Sequence, residues 1–201
     1  MRVPVLFAAA FFTAGLAQAA PAEWSLDRAH SEVGFKVRHL GIANVRGHFK
    51  TFDAKVLADA KSGRVTSVEA TAQAASIDTG VEKRDGHLRS DDFFNAEKYP
   101  TLKATLSDLR WKGNKVEGKA KLTIRDVTKT VPVTGELLGT HKVNFGDGDQ
   151  IRAGYTFTTT VNRKAFGLRF NAMAEGVAVV ADEVTIEIQL EISRRIGTPA
   201  G

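Results

Sequence analysis

The side chains best equipped for chemistry crowd one stretch, Ser76-Ile77-Asp78-Thr79-Gly80 leading into Arg84-Asp85-Gly86-His87-Leu88-Arg89-Ser90. A carboxylate, an imidazole and a guanidinium this close together have the makings of acid–base work on a polar head group. Asp78, Arg84, Asp85 and His87 have a second reading as a network that pins a surface segment, because charges leaving water must be paired. That structural reading is preferred. Nucleophilic catalysis has little to build on: the chain has no Cys and no G-x-S-x-G elbow. His30 and Ser31 are adjacent, but neighbours on a strand point to opposite faces. The five His are scattered with no H-x-H or HExxH spacing, and Asp91-Asp92 suits a helix start better than a metal pair. No catalytic residue, metal or cofactor is expected.

The elements that must carry these residues follow a period of two. Val33, Phe35 and Val37 alternate with Glu32, Lys36 and Arg38. Val68 to Ala74, Val116 to Ile124 and Ala153 to Val161 do the same, and Val184, Ile186, Ile188, Leu190 and Ile192 oppose Thr185, Glu187, Gln189 and Glu191. Such alternation predicts antiparallel strands with one dry face and one wet face. Between Val45 and Val56 the phase slips, which predicts a bulge near Lys50-Thr51. Ser62-Gly63, Gly113-Asn114 and Gly146-Asp147-Gly148 mark turns. Glu82 to Tyr99 breaks the rhythm and predicts short helical turns, with Ser90 as N-cap, Asp91 and Asp92 in the first turn, and Leu88, Phe93 and Phe94 packed on the sheet.

About eight strands make an all-β domain, either a barrel or a two-sheet sandwich. Small residues in the inward phase, Ala70, Ala72, Ala74, Gly118, Ala120 and Ala153, favour a hollow barrel, since a filled core takes bulkier ones. The 201 residues are expected to divide into a leader at 1–19, one domain at 20–195 and a short tail at 196–201. Arg2, the apolar run from Val3 to Leu16, and Ala17-Gln18-Ala19 have the form of a cleaved signal peptide. That run is shorter than the roughly 20 residues of a spanning helix. A periplasmic or secreted location follows as the expectation. The formal net charge of +5 is spread along the chain. It favours transient contact with a membrane surface slightly, and it lacks the basic stripe of a nucleic-acid binder.

Several motifs together resemble the YceI-like lipid/polyisoprenoid-binding family. They are Trp24-x-x-Asp27-x-x-His30-Ser31-x-Val33-x-Phe35, Gly47-x-Phe49, Arg84-Asp85-x-His87-Leu88-x-Ser90-x-Asp92-Phe93-Phe94, Tyr99-Pro100, Gly118-x-x-x-Leu122-Thr123-Ile124, Val127-Thr128-Lys129 and Asn162-Arg163-x-x-Phe166-Gly167. The resemblance implies an eight-stranded antiparallel lipocalin-like barrel with a short helical insertion and a long apolar tunnel. It also implies an isoprenoid, quinone-like or fatty-amide-like ligand, and leaves room for a homodimer. Lys103-Ala104 stands where the family commonly has an aromatic, which alters one wall of the tunnel.

A binding role without catalysis is therefore the leading expectation. Phe35, Val37, Phe49, Ala70, Ala72, Leu122, Tyr155, Phe157 and Ile186 are expected to line the tunnel. His39, Asn162 and Arg163 are expected to make polar contacts near one end. The competing readings are an enzyme acting on a lipid head group through Arg84, Asp85 and His87, and an interaction-only protein with a solid core.

Overall fold

The computed structural model describes residues 21–146 and 148–196. The expected leader at 1–19, Asp147 of the third turn and all of the expected tail except Ile196 lie outside the described residues.

The alternating runs form eight antiparallel strands. These are β1 (Pro21–Leu26 and Glu32–His39), β2 (Ala43–Phe49 and Phe52–Asp59), β3 (Val65–Gln73 and Ile77–Asp78), β4 (Thr101–Lys112), β5 (Lys115–Ile124), β6 (Val127–Asn144), β7 (Asp149–Asn162) and β8 (Val180–Arg195). Each pairs with the next, and β8 returns to β1 through Ile186 opposite Phe35 and Ile192 opposite Leu26. Closure makes a barrel, not a sandwich, and among the described residues leaves no long open edge.

β1, β2 and β3 each break in the middle. In β1 the break is a 3-10 turn at Arg28–His30, capped by the Asp27 carboxylate, which accepts from the N–H groups of Ala29 and His30. In β2 it falls at Lys50-Thr51, where the slip in periodicity places it. It is more than a one-residue bulge: the Lys50 N–H donates to the Ser76 carbonyl, and the Gln73 N–H to the Thr51 carbonyl. A corner shared by neighbouring strands keeps the backbone satisfied while the wall bends.

The helix lies within the expected Glu82–Tyr99 segment, but at its start and not after Ser90. Helix α1 spans Glu82–Arg89, and Ser90 ends it, donating to the His87 carbonyl. Asp91 and Asp92 belong to the turns that follow. The start is fixed from upstream: Asp78 accepts from the Gly80 N–H at 2.8 Å, and Gly80 has φ +77°. That turn releases the chain into α1 one helix length before Ser90, so the acidic first-turn residues are Glu82 and Asp85.

The barrel has two unlike halves. Its lower half, closed by the turns at 60–64 and 113–114, is packed solid around Trp24, Val56, Val65, Tyr155 and Ile192. Each fully buried aliphatic there contributes about 1.5–3 kcal/mol. Here the inference from small inward residues fails. A Cβ on Gly118 would meet Leu109 Cδ2 at 2.5 Å, and the Ala153 Cβ lies 3.1 Å from where a Gly63 Cβ would stand. Small residues in this half are matched by large neighbours. The upper half is capped by α1, the turns at 90–100 and the loop at 163–179.

Candidate ligand-binding cavity

Under this cap the inward phases of the strands leave a gap. Val33, Phe35 and Val37 of β1, Phe49 of β2, Ala70 and Ala72 of β3, and Leu102 and Ala104 of β4 form one side. Leu122 and Ile124 of β5, Val161 of β7, and Val184, Ile186 and Ile188 of β8 complete the wall. Together they bound about 1060 Å³ of space, its opening included, with an apolar surface. A smaller space of about 370 Å³, its opening included, continues below it, sharing Ala104, Leu122, Ile186 and Ile188 and bordered by Phe157.

Aromatic rings build the roof. Phe49 meets Phe94 edge-on at 5.7 Å between centroids, and Phe35 lies 6.1 Å from Phe49. Gly47 makes room for Phe35, because a Cβ there would stand 2.5 Å from Phe35 Cζ. Phe93 packs 5.0 Å from Phe170, and the His87 ring meets both edge-on. Arg125 ties the cap together by donating to the carbonyls of Phe93 and Gly167. Edge-to-face pairs of this kind contribute about 0.5–1.5 kcal/mol each beyond burial.

A YceI-like domain model matches residues 24–192, which is most of the chain and all eight strands. The chain belongs to the YceI-like family. A UPF0312 protein of Photorhabdus laumondii is 36% identical over 140 residues, covering 70% of this chain and 71% of that one. The crystal structure of the Campylobacter jejuni YCEI protein superposes with a TM-score of 0.68 at 30% identity, covering 86% of this chain and 98% of that one. A polyisoprenoid binding domain from Saccharophagus degradans, implicated in plant cell wall breakdown, shares the fold with a TM-score of 0.57. It is 15% identical, with 84% of this chain and 97% of that one covered.

Within this YceI-like barrel, seven of the nine residues expected to line the tunnel border the main cavity: Phe35, Val37, Phe49, Ala70, Ala72, Leu122 and Ile186. Phe157 borders only the lower void. Tyr155 does not line the space at all. It stacks under Phe157 at 6.0 Å, and its hydroxyl donates to the Gly63 carbonyl of a lower turn. Burial pushes its pKa upward. Inward phase places a side chain inside a barrel, but not at which height.

The polar expectations divide. His39 sits at the top of β1 opposite Ala43 and Val180, outside the cavity wall. Asn162 is exposed, and its side chain caps the 3-10 turn at Arg163–Phe166 by accepting from the Lys164 N–H at 2.9 Å. Arg163 does border the cavity. Its guanidinium, however, donates to the carbonyls of Leu168 at 2.8 Å, Ala181 at 2.9 Å and Val180 at 3.2 Å, and to Asp182 at 3.2 Å. Burial lowers its pKa, and Asp182 opposes that shift. It holds the 163–179 loop to β8, with little donor capacity left for a ligand.

The four residues expected as one polar network form three separate groups. Arg84 and Asp85 both bind Thr79: Arg84 Nε donates to Thr79 Oγ1 at 2.7 Å, and buried Asp85 accepts from the Thr79 N–H at 2.9 Å. Asp78 pairs with Lys50 at 3.1 Å, and the Gly80 N–H, followed by Lys50, holds its pKa down. His87 Nε2 lies 2.8 Å from Asp92. None of the four borders the main cavity, and His87 pairs away from the group that Arg84 and Asp85 form on Thr79. Asp27, His30 and Glu191 bring potential ligand atoms within 4.8 Å of one another, but Arg152 already bridges Asp27 and Glu191.

Sequence reasoning missed Val33, Leu102, Ala104, Ile124, Val161, Val184 and Ile188 in the wall, although all but Leu102 and Ala104 lie in alternations that it identified. Leu168 comes from an irregular loop, where no periodic signal exists.

Proposed function

We propose that this protein binds a long apolar chain of the polyisoprenoid class in the upper half of its barrel, outside the cytoplasm, and holds it without reacting it. The observation that carries the reading is the apolar cavity under the cap, roofed by Leu88, Phe93 and Phe94. A flexible hydrocarbon entering such a space gains about 25 cal/mol per Å² of surface removed from water, less the cost of ordering it. The polyisoprenoid class is supported by the name of the Saccharophagus degradans domain with the same fold. The extracytoplasmic location is supported by the apolar run and the Ala17-Gln18-Ala19 site at the N-terminus.

Native mass spectrometry of protein purified from the source cell envelope, followed by organic extraction, tests the reading. The expected result is an added mass that extracts as an isoprenoid. Protein that is repeatedly empty and also fails to bind a fluorescent polyprenyl probe would sink it.

A further inference from the structure

We propose that the upper rim of the barrel, at the corner between β1 and β8, docks onto the interface of a lipid bilayer and takes up the apolar chain there. This rests on the binding role proposed above and names the source of its ligand.

The wall is weakest at that corner. Val180 pairs with His39 and Val184 with Val37, so residues 181–183 of β8 face Arg38 alone. Val37, Val180 and Val184 all border the cavity. The carbonyls of Val180 and Ala181 are satisfied by Arg163. An interruption in the ladder therefore exists beside the cavity without the penalty of orphaned backbone groups.

Aliphatic tips stand directly above it. The turn through Leu40 and Gly41, both at positive φ, presents Ile42 at 81% exposure. Beside it a two-residue ladder, Met173–Ala174 against Val177–Ala178, presents Met173 at 55% and Val177 at 47%. A hydrogen bond from the Leu40 N–H to the Val179 carbonyl joins the two tips. Val81 continues the same arc beyond β3. Of six large apolar side chains exposed among the described residues, these four sit on the upper rim. Scattered apolar exposure is ordinary, but clustering at the mouth of an apolar cavity is not.

The shape of this surface selects its occupant. Protruding aliphatic tips offer a rigid protein no flat or concave patch, whereas a bilayer interface closes around them. Exposed Arg38 and Lys83 are offset by Glu175 and Glu183, and none of these four has an ion-pair partner among the described residues. Binding is therefore apolar insertion, with little dependence on lipid charge.

The test compares the full chain with an Ile42→Asp, Met173→Asp, Val177→Asp variant, both purified from the soluble fraction so that the N-terminal segment is common to both. Sedimentation with phosphatidylcholine vesicles measures partitioning, and a fluorescent polyprenyl probe is supplied either in the vesicles or dissolved below its aggregation limit. The variant is expected to partition at least tenfold less and to lose uptake from vesicles while keeping uptake of dissolved probe. Because the substituted residues are exposed, unchanged circular dichroism is expected to accompany the loss. Equal partitioning of the two proteins overturns the proposal, as does binding that appears only with phosphatidylglycerol and vanishes in salt. A wild-type dimer lost in the variant, with vesicle binding unaffected, also overturns it by assigning the rim to a second copy. Vesicle binding that depends on the three side chains, with no probe uptake from either source, upholds docking and overturns the ligand-binding role.

Discussion

Phe157 on β7 lies directly across from Gly135 on β6, and its ring occupies the space that a side chain at 135 would need. A Cβ there would come within 2.6 Å of both Phe157 Cδ1 and the Thr156 carbonyl oxygen. This pair sets the floor of the tunnel: below it Tyr155 and Trp111 fill the barrel, and above it the void begins. Gly135→Ala must displace backbone as well as the ring, and overpacking of this kind costs about 1–3 kcal/mol. The expected outcome is a lowered urea midpoint by fluorescence. An unchanged midpoint would show that the floor yields freely.

Ala104 borders both the main cavity and the lower void. It stands opposite Ala70 on β3 and Leu122 on β5, so a large side chain there projects into the passage between the two spaces. Ala104→Phe is expected to reduce binding of a long polyprenyl probe at least tenfold while leaving the thermal midpoint unchanged or raised, because the ring fills a void without breaking a contact. A titration with short and long probes checks this. The loss should grow with chain length, and equal affinity for all lengths would place the ligand elsewhere.

The contrast between Ala70 and Ala153 shows how far the sequence can be read. Both are small and inward in phase, because a period of two specifies a face. Ala70 borders empty space, while Ala153 packs against the Gly63 turn at the lower end. What separates them is the residue across the barrel, which depends on closure and strand stagger, not on local pattern. Helix α1 was displaced from its sequence-read start for a similar reason, since the Asp78–Gly80 turn and the Thr79–Asp85 bond outweigh the capping potential of Ser90. Phe93 and Phe94 were legible as packing on the barrel, because two adjacent aromatics in a charged segment need somewhere to be buried.

Arg163 is a positioning residue for the upper rim. Its exposure is 4%, and removing the guanidinium leaves the carbonyls of Leu168, Val180 and Ala181 without that donor. A buried carbonyl left without its donor costs about 1–3 kcal/mol. Arg163→Lys is expected to recover only part of the loss, since an ammonium cannot reproduce the planar fork. Hydrogen exchange followed by mass spectrometry should show faster exchange confined to the segment 163–184. Uniform acceleration across the barrel would mean that Arg163 supports the whole fold and not the rim.

Asp59 makes the lower end pH-sensitive. Its carboxylate accepts from the Ser62 N–H and hydroxyl, each at 2.7 Å, and from the Lys61 N–H at 3.1 Å. The Ser62 N–H and then its hydroxyl hold the Asp59 pKa below the ordinary value near 3.8. The same turn presents the Gly63 carbonyl to Tyr155. A depressed folded-state pKa means that the stabilisation is complete above the unfolded value of about 3.9 and is lost as pH falls through the folded one. Asp59→Asn removes the titration. The variant is therefore expected to be less stable than wild type at pH 7, with the gap closing as both are taken to about pH 2.5. Urea midpoints at the two pH values measure it, and a gap that stays constant would show that the Asp59 charge contributes nothing to holding the turn.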